Sequence, residues 1–486
     1  MVCPFLTLPP MLRRFLPILM LVLAAAPAGF AAADRPNIVF ILADDLGWRD
    51  LACYGSPWHE TPHLDRLARE GMRFNTAYAS APICSASRAS LLTGKSPARL
   101  GFEFVTKEPG TKVNPRPMQA PEYPLNLALE ERTLAEMLGP AGYHTGFFGK
   151  WHVSQHNGYY LGWSTTHGPL QQGFAEGDPD FGSHSYGYKE SPQLADQPLP
   201  AGEYPADTLT DRAIGFIRAQ KDRPFFLYLS HYYVHTPIRT RTPWLTEKYR
   251  AKLPAGADPD RAVYGGMVET LDHLVGRVLQ ALDEAGVADN TLVIFMSDNG
   301  GHPEYAANGP LRGSKWNVYE GGIRVPFIVR WPGRVAAGST CDTPIIGSDL
   351  MPTLSAVAGA TPPAGVPQDG VSLLPLLRGG QTVERTQPMV WHFPYYHPEG
   401  PAFDRARASI GIDDFQTSQT RPQSAIRVGN YALVHFYEDD RDELYHLSAD
   451  PGEQKDLSRE KPRKAAKLRA ALDDYLRAVN ARFPTR

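Results

Sequence analysis

Neither sign of charge dominates this sequence: 49 Lys and Arg stand against 52 Asp and Glu, for a formal net charge of −3. No basic tract appears along it. The clustered cations that a phosphate backbone demands are missing, which excludes a nucleic-acid partner. Membrane-spanning length is missing too. The apolar run from Phe15 to Ala26 is too short for a comfortable span, and its setting is that of an export signal. Arg13 and Arg14 precede it, and Ala31, Ala32 and Ala33 before Asp34 form a small-residue cleavage pattern. Residues 1–33 therefore read as a cleaved signal peptide, and the mature chain as exported, periplasmic or secreted. Cysteine is scarce, with four residues in all. Cys3 falls within the signal. Cys53, Cys84 and Cys341 remain, an odd number that excludes complete pairing where thiols oxidise. The sequence does not decide whether Cys53 and Cys341 pair or stay buried as thiols.

What is present suits a globular protein: 42% apolar and 21% charged residues, in a chain long enough for a large core and two unequal domains. The 43 Gly and 45 Pro make it loop-rich, as befits a site assembled from many connections. Asn37 to Ala43, Pro224 to Ser230 and Thr291 to Met296 are continuous apolar runs, the pattern of strands buried on both faces of a largely parallel sheet. The first run ends in Asp44-Asp45-Leu46-Gly47 and the third in Ser297-Asp298-Asn299-Gly300-Gly301. Two strand ends thus carry acidic and amide oxygens where α/β sheets bind ligands, although Asp-Asp before Gly is by itself also a plain turn signal. His144 to Phe148 predicts another strand, followed by Gly149-Lys150-Trp151-His152. Alternation places Lys150 and His152 on one side if that strand continues.

Thr61-Pro62 opens a helix closed by Gly71, and Thr133 begins another. The spacing of Val263, Met267, Leu271, Leu274, Val278 and Leu282 predicts an amphipathic helix from Ala262 to Ala285 that packs on the sheet. Pro82 to Gly94 reads as a short helix with Cys84 at its N-terminus and Gly94 free to take positive φ at its end. Such a start offers free N–H groups and partial positive charge, and with Arg88 one turn along it can handle an oxyanion. The competing reading is a small buried thiol. A Pro-rich loop follows over residues 109–124.

Beyond Thr382 the character changes. Ser424 to Arg427, Gly429-Asn430 and Tyr431 to Phe436 read as a hairpin, Glu443 to Leu447 as a further strand, and Leu468, Leu472, Tyr475 and Val479 as one face of a C-terminal helix. The expected fold is α/β. A large mixed, mostly parallel sheet flanked by helices occupies residues 34–381, and a smaller C-terminal α+β domain with an antiparallel sheet occupies 382–486.

Six motifs occur in order: Ala43-Asp44-Asp45-Leu46-Gly47, Cys84 to Arg88 through Leu91-Leu92-Thr93-Gly94, Gly149-Lys150-Trp151-His152, His235-Thr236-Pro237, Ser297-Asp298-Asn299-Gly300, and Leu311 to Lys315 with Tyr319-Glu320-Gly321-Gly322. Glu443-Leu444-Tyr445 and Asp450-Pro451-Gly452-Glu453 come later. The series resembles the type I, formylglycine-dependent sulfatases, arylsulfatase-like members of the alkaline-phosphatase superfamily, over nearly the whole chain. The resemblance implies an alkaline-phosphatase-like sheet and conversion of Cys84 to formylglycine by a formylglycine-generating enzyme. It also implies a divalent cation, Ca²⁺ or alternatively Mg²⁺, held by Asp44, Asp45, Asp298 and Asn299 with Cys84 as a further ligand position. Hard oxygen donors suit those ions rather than zinc. Three carboxylates balance Arg88, Lys150 and Lys315, so a dication makes the pocket positive toward an anionic sulfate ester.

The implied reaction is hydrolysis of a sulfate ester on a sulfated small molecule or glycan to alcohol and inorganic sulfate, through a formylglycine hydrate and a covalent sulfate-enzyme intermediate. Asp298 accepts the proton of the attacking hydroxyl, and Arg88 and Lys150 hold hydrate and sulfate. His235 and Lys315 neutralise or protonate the leaving alcohol. His152 deprotonates the second hydroxyl to expel sulfate. Ser183 adds a sulfate contact through its spacing from Gly173-Phe174. Ala86 departs from the family pattern, where many members have Pro, and bears on which modifying system accepts Cys84. Two alternatives stand beside this reading: a phosphonate or phosphate ester hydrolase of the same superfamily, and a sulfated-glycan binder with unmodified Cys84. The aromatic loop Trp391 to His397 serves either to stack on a sugar ring or to pack between domains.

Overall fold

The apolar runs form the middle of an eight-stranded sheet. From edge to edge its strands are Glu176–Asp178, His144–Gly149, Phe225–Ser230, Asn37–Ala43, Thr291–Ser297, Phe327–Arg330, Met72–Phe74 and Ser339–Cys341. The first five are parallel; Phe327–Arg330 runs antiparallel to both neighbours, and Ser339–Cys341 is parallel to Met72–Phe74. This computed structural model describes residues 1, 35–106, 117–189, 197–361, 366–397, 407–410, 415–417 and 421–486. All of the signal expected over 1–33 except residue 1, Cys3 included, lies outside the described residues, as do residues 109–116 of the Pro-rich loop. Among the described residues no helix is long and apolar enough to cross a membrane.

Both faces of the central strands are apolar because both are covered, and the two-residue period divides each strand between two cores. Phe40, Leu42, Tyr228, Ile294 and Met296 face Leu91 and Leu92 of helix Cys84–Thr93 and Leu354 of helix Leu350–Ala358. Val39, Ile41, Leu227, Val293 and Phe295 face Leu271, Leu274 and Val278 of helix Asp260–Glu284, as well as Leu64 and Leu67 of helix Pro62–Glu70. Each fully buried aliphatic side chain contributes about 1.5–3 kcal/mol relative to exposure.

Parallel strands that start level also end level. Ala43 pairs with Ser297, Leu42 with Ser230, and Gly149 with Ser230, so the next residues of four chain segments converge at one edge. Gly149 makes the closest approach. Its φ is 96°, and a Cβ there would lie 2.1 Å from the Ser230 carbonyl oxygen. His152 also has positive φ, 58°. The strand therefore stops at Gly149, and a sharp change of direction, not strand alternation, sets Lys150 and His152. Gly149→Ala is expected to cost about 2 kcal/mol or more in stability, read as a lowered urea midpoint at unchanged m-value.

The C-terminal region forms an antiparallel sheet in the order Met389–Phe393, Gln423–Val428, Tyr431–Phe436, Arg441–His446. Alternation again splits its side chains. Ile426, Leu433 and Leu444 pack on Leu468, Leu472 and Leu476 of helix Pro462–Ala478. Trp391, Ala425, Val434 and Tyr445 pack on Ile83, Ala86, Trp316 and Tyr319, which flank the start of the Cys84 helix. The aromatic loop is part of this contact. Trp391 donates to the Ala79 carbonyl at 2.8 Å, Tyr395 stacks on Phe104 at 4.5 Å, and both are buried. Packing, not a sugar, takes these rings. Cys53 and Cys341 are half-buried free thiols.

Candidate active site

The converging strand ends are stitched together by the groups they display. Asp298 N donates to the Ala43 carbonyl at 3.0 Å, and Asp45 N returns a bond to Asp298 Oδ1 at 3.1 Å. Leu46 N donates to Ser297 Oγ at 3.0 Å, and Asn299 Nδ2 donates to Asp45 Oδ1 at 2.8 Å. Asp45 has φ 60°, which turns the two acidic side chains of one strand end along different directions.

Three buried carboxylates meet three buried cations, and Arg88 Nη2, beside Asp298, also lies 3.7 Å from Asp44 Oδ1. Lys150 Nζ lies 2.5 Å from Asp44 Oδ2, and Lys315 Nζ lies 2.6 Å from Asp45 Oδ2. Arg88 places Nε at 2.9 Å and Nη2 at 2.8 Å from Asp298 Oδ2. None of the six is more than 4% exposed. A buried charge is tolerated only when paired and hydrogen-bonded, so the count of formal charges in the sequence reappears here as a set of contacts. Arg88 is further anchored by bonds from Nη1 to the Lys150 carbonyl at 2.8 Å and to Ser230 Oγ at 2.6 Å.

Cys84 opens its helix with Ile83 extended before it and no side-chain cap, and Gly94 closes that helix at φ 71°. Its Sγ stands 4.0 Å from Asp45 Oδ1. Burial pushes the thiol up to about 12 against the opposing pull of Lys150 and Lys315, so an unmodified Cys84 is a protonated, weak nucleophile at neutral pH. Burial, reinforced by Asp44, pushes Asp298 up to about 6. Burial also raises Asp45, but the ammonium groups of Lys315 and Lys150 outweigh it and hold that carboxyl well below its usual range.

The two histidines differ in their surroundings. Both are held well below the imidazole range, by burial first, then by Lys150 at His152 and Lys315 at His235, so both are neutral at pH 7. His152 is 4% exposed, and neither of its ring nitrogens has a hydrogen-bond partner. His235 is fully engaged: Nε2 lies 3.2 Å from Lys315 Nζ, and Nδ1 lies 2.7 Å from the Thr236 carbonyl and 2.8 Å from Tyr186 Oη. An ammonium can only donate, which assigns the His235 proton to Nδ1.

The donor set fits a hard cation. Asp44 Oδ1, 3.7 Å from Arg88 Nη2, and Asn299 Oδ1 are buried with no hydrogen-bond donor, an arrangement that costs free energy unless a closer donor or cation meets them. Ligand atoms of Asp44, Asp45, Cys84 and His235 lie within 4.8 Å of one another. Because His235 Nε2 already accepts from Lys315, the oxygens of Asp44, Asp45 and Asn299 carry the fit, as expected for Ca²⁺ or Mg²⁺. Both Asp298 oxygens are engaged, by the Asp45 N–H and by Arg88.

The structure thus gathers Asp44, Asp45, Cys84, Arg88, Lys150, His235, Asp298, Asn299 and Lys315, with His152 close by, within the electrostatic reach of Lys150 and Arg88. Ser183 is engaged elsewhere: its Oγ donates to Asp207 Oδ2 at 2.7 Å and lies 3.1 Å from Tyr233 Oη. Sequence reading passed over Ser230 and Tyr186. The polar end of an otherwise apolar run was a usable signal for Ser230; Tyr186, in a loop, offers none.

The late motifs serve the Lys315 loop. Glu453 Oε2 accepts from Glu320 N at 2.8 Å, Tyr319 Oη donates to Glu443 Oε2 at 2.5 Å, and Arg312 donates to Tyr445 Oη at 2.8 Å. The same loop is tied to the other strand end by Gly300 N to the Gly322 carbonyl at 2.9 Å and Lys315 N to the Gly301 carbonyl at 3.0 Å.

Comparison with known proteins gives concordant results. The family model described as Sulfatase matches residues 36–360, and the model described as N-sulphoglucosamine sulphohydrolase, C-terminal, matches residues 314–482. Arylsulfatase A of Homo sapiens is 35% identical over 467 residues, covering 90% of this chain and 86% of that protein. N-acetylgalactosamine-6-sulfatase of Canis lupus familiaris is 35% identical over 395 residues, covering 76% and 71%. The crystal structure of Ps i-CgsB in complex with k-i-k-neocarrahexaose superposes with a TM-score of 0.72 at 27% identity, over 91% of this chain and 93% of that one.

Proposed function

The chain belongs to the sulfatase family and is a sulfuric ester hydrolase, and on that premise we propose that it removes sulfate from a carbohydrate, using formylglycine formed from Cys84 beside a bound divalent cation. The observation that carries this reading is the setting of Cys84: a thiol too weakly acidic to attack, at a helix start 4.0 Å from Asp45 Oδ1, beside the unpartnered oxygens of Asp44 and Asn299. Asp44, Asp45 and Asn299 would hold the cation, with Asp298 completing an all-oxygen set, and the ion would supply Lewis-acid polarisation of a sulfuryl oxygen. The formylglycine hydrate would supply one hydroxyl to attack sulfur and a second whose deprotonation lets sulfate leave without water attacking sulfur.

The chain's own residues take the remaining work. Asp298 accepts a proton from the attacking hydroxyl. Lys150 and Arg88 face the incoming sulfate with positive charge at fixed positions. Lys315 carries the proton nearest the leaving oxygen, and His235, held by Thr236 and Tyr186, keeps that ammonium aimed. His152 has a free, neutral ring and takes the second proton. The carbohydrate assignment is supported by the relatives: N-acetylgalactosamine-6-sulfatase is named for an amino sugar, and Ps i-CgsB was solved in complex with k-i-k-neocarrahexaose.

We also propose the division of the mature chain near residue 382, export directed by residues 1–33, and maturation by a formylglycine-generating enzyme that accepts Ala86. A screen of sulfated mono- and disaccharides, read by sulfate release beside phosphate and phosphonate monoesters, tests the substrate class. Faster turnover of the phosphorus esters would overturn it. His152→Ala should preserve the first step and block the second. The expected record is one equivalent of alcohol released per enzyme, then a phase slower by about 10²–10⁴-fold, followed by rapid quench. A uniform slowing with no initial burst would remove His152 from that role.

A further inference from the structure

The aromatic loop of the C-terminal region is buried, yet another aromatic pair is displayed beside the site. Tyr159 and Tyr160 are 42% and 44% exposed; the other aromatic of that exposure among the described residues, Phe483, packs against His392 and Tyr437. The loop that carries them is held tightly. Asn157 N donates to the Gly162 carbonyl at 3.1 Å, and Gly162 N to the Tyr159 carbonyl at 3.0 Å. Leu161, at φ 66°, is 1% exposed in the core beneath. Trp163 Nε1 donates to the Gly149 carbonyl at 2.9 Å, which fastens the loop to the residue before Lys150.

Tyr160 looks onto the chemistry. Its ring centroid is 5.5 Å from that of Tyr186, whose hydroxyl meets His235, and 6.5 Å from that of His152. It also contacts His156 at 4.9 Å and 87°. None of these contacts is a parallel stack, 44% of the residue's surface stays exposed, and its phenol oxygen makes no hydrogen bond to the described residues. Flanking rings that fix its orientation also remove most of the entropy cost of using it.

Resting on the carbohydrate-sulfatase reading above, we propose that Tyr160, displayed with Tyr159 on the loop anchored by Leu161 and Trp163, is the platform on which the pyranose ring bearing the sulfate stacks. The C–H face of a pyranose is apolar and flat enough to cover an aromatic face, while its hydroxyls suit an unpaired phenol at the rim. The charged pocket then grips the sulfate and Tyr160 the ring, so selection for a cyclic alcohol resides in a loop separate from the three ion pairs. Tyr160 is thus a specificity-determining residue that touches substrate without taking part in bond breaking.

The test is a comparison of wild type, Tyr160→Ala and Tyr160→Phe, using the pyranose monosulfate turned over fastest in the screen and inorganic sulfate as a competing ligand without a ring. Tyr160→Ala should raise KM for the sugar by about 10–100-fold with kcat within about threefold and Ki for inorganic sulfate unchanged. Tyr160→Phe, which keeps the face, should stay within about fivefold of wild type. An unchanged KM in Tyr160→Ala, or a Ki for sulfate that rises in step with KM, overturns the platform and leaves the sulfatase reading standing. If wild type protein verified to carry the aldehyde releases sulfate from no pyranose, the carbohydrate reading itself fails, and this inference with it.

Discussion

Replacing Cys84 with alanine abolishes sulfate release, with an expected loss on the order of 10⁴-fold or more in kcat, while thermal stability changes little. The loss is large because no neighbouring group can substitute. The nearby hydroxyls of Ser85 and Ser87 are buried, and Ser85 Oγ accepts from Thr106 N at 3.0 Å. Stability is spared because Cys84→Ala removes one buried sulfur without orphaning a strong hydrogen-bond partner. Cys84→Ser is expected to be nearly as inactive, since a single hydroxyl has no second proton for His152 to remove. The companion measurement is peptide mass. The segment containing Cys84 from native-host protein should be about 18 Da lighter than its sequence demands, the difference between a thiol and an aldehyde. Full activity in protein whose Cys84 is entirely an unmodified thiol would refute the mechanism, because burial holds that thiol near 12.

The second large effect falls on Arg88, where fold and chemistry are least separable. Arg88→Met should lower stability by about 3–5 kcal/mol, the range for breaking one side of a buried ion pair, and abolish measurable sulfate release. Asp298 is 0% exposed, and without Arg88 its charge is left beside that of Asp44. The Ser230 hydroxyl and the Lys150 carbonyl lose a donor as well. Arg88→Lys should not restore activity, because an ammonium cannot reach Asp298, Ser230 and the Lys150 carbonyl at once in the way a guanidinium does. The pH profile separates the electrostatic part. Burial and Asp44 raise the Asp298 carboxyl while Arg88 lowers it, so a step needing its ionised form weakens as pH falls through its pKa. Any residual activity in Arg88→Lys should have this acid limb shifted to higher pH, since a cation that lowers the Asp298 pKa has moved away. An acid limb at the wild-type position would show that Arg88 does not govern Asp298.

Much of this arrangement was legible from local pattern. Asn37–Ala43 and Thr291–Ser297 declared themselves as buried strands because a strand covered on both faces has no polar position to spare. Thr133 was readable as a helix start, and the structure supplies its full capping box with Glu136. The sequence also carried the list of charged groups, since three acids and three bases stand at motif positions whose spacing does not depend on the fold. Other features were not legible. The antiparallel insertion of Phe327–Arg330 leaves no mark on its composition. Ser183 carried a plausible motif spacing, yet its hydroxyl is claimed by Asp207, the N-cap of helix Thr208–Gln220. The expectation that Lys150 and His152 share a strand face failed because Gly149, pressed against the Ser230 carbonyl, bends the chain where alternation assumes extension.

By itself, then, the sequence determined the central strands, the long helix packed on them, and that Cys84 begins a helix with Arg88 one turn on. Those properties follow from period, capping and residue type, all of which act over a few residues. Tertiary structure alone decided which acid meets which base, that Asp44 Oδ1 and Asn299 Oδ1 are left facing no donor, that the Trp391 loop is sealed inside, and that Tyr160 stands open beside the site. The physical reason is that these outcomes depend on strand ends brought level by sheet register, and on charges that must find partners once water is excluded. Both are set between residues hundreds of positions apart, where no local pattern reaches.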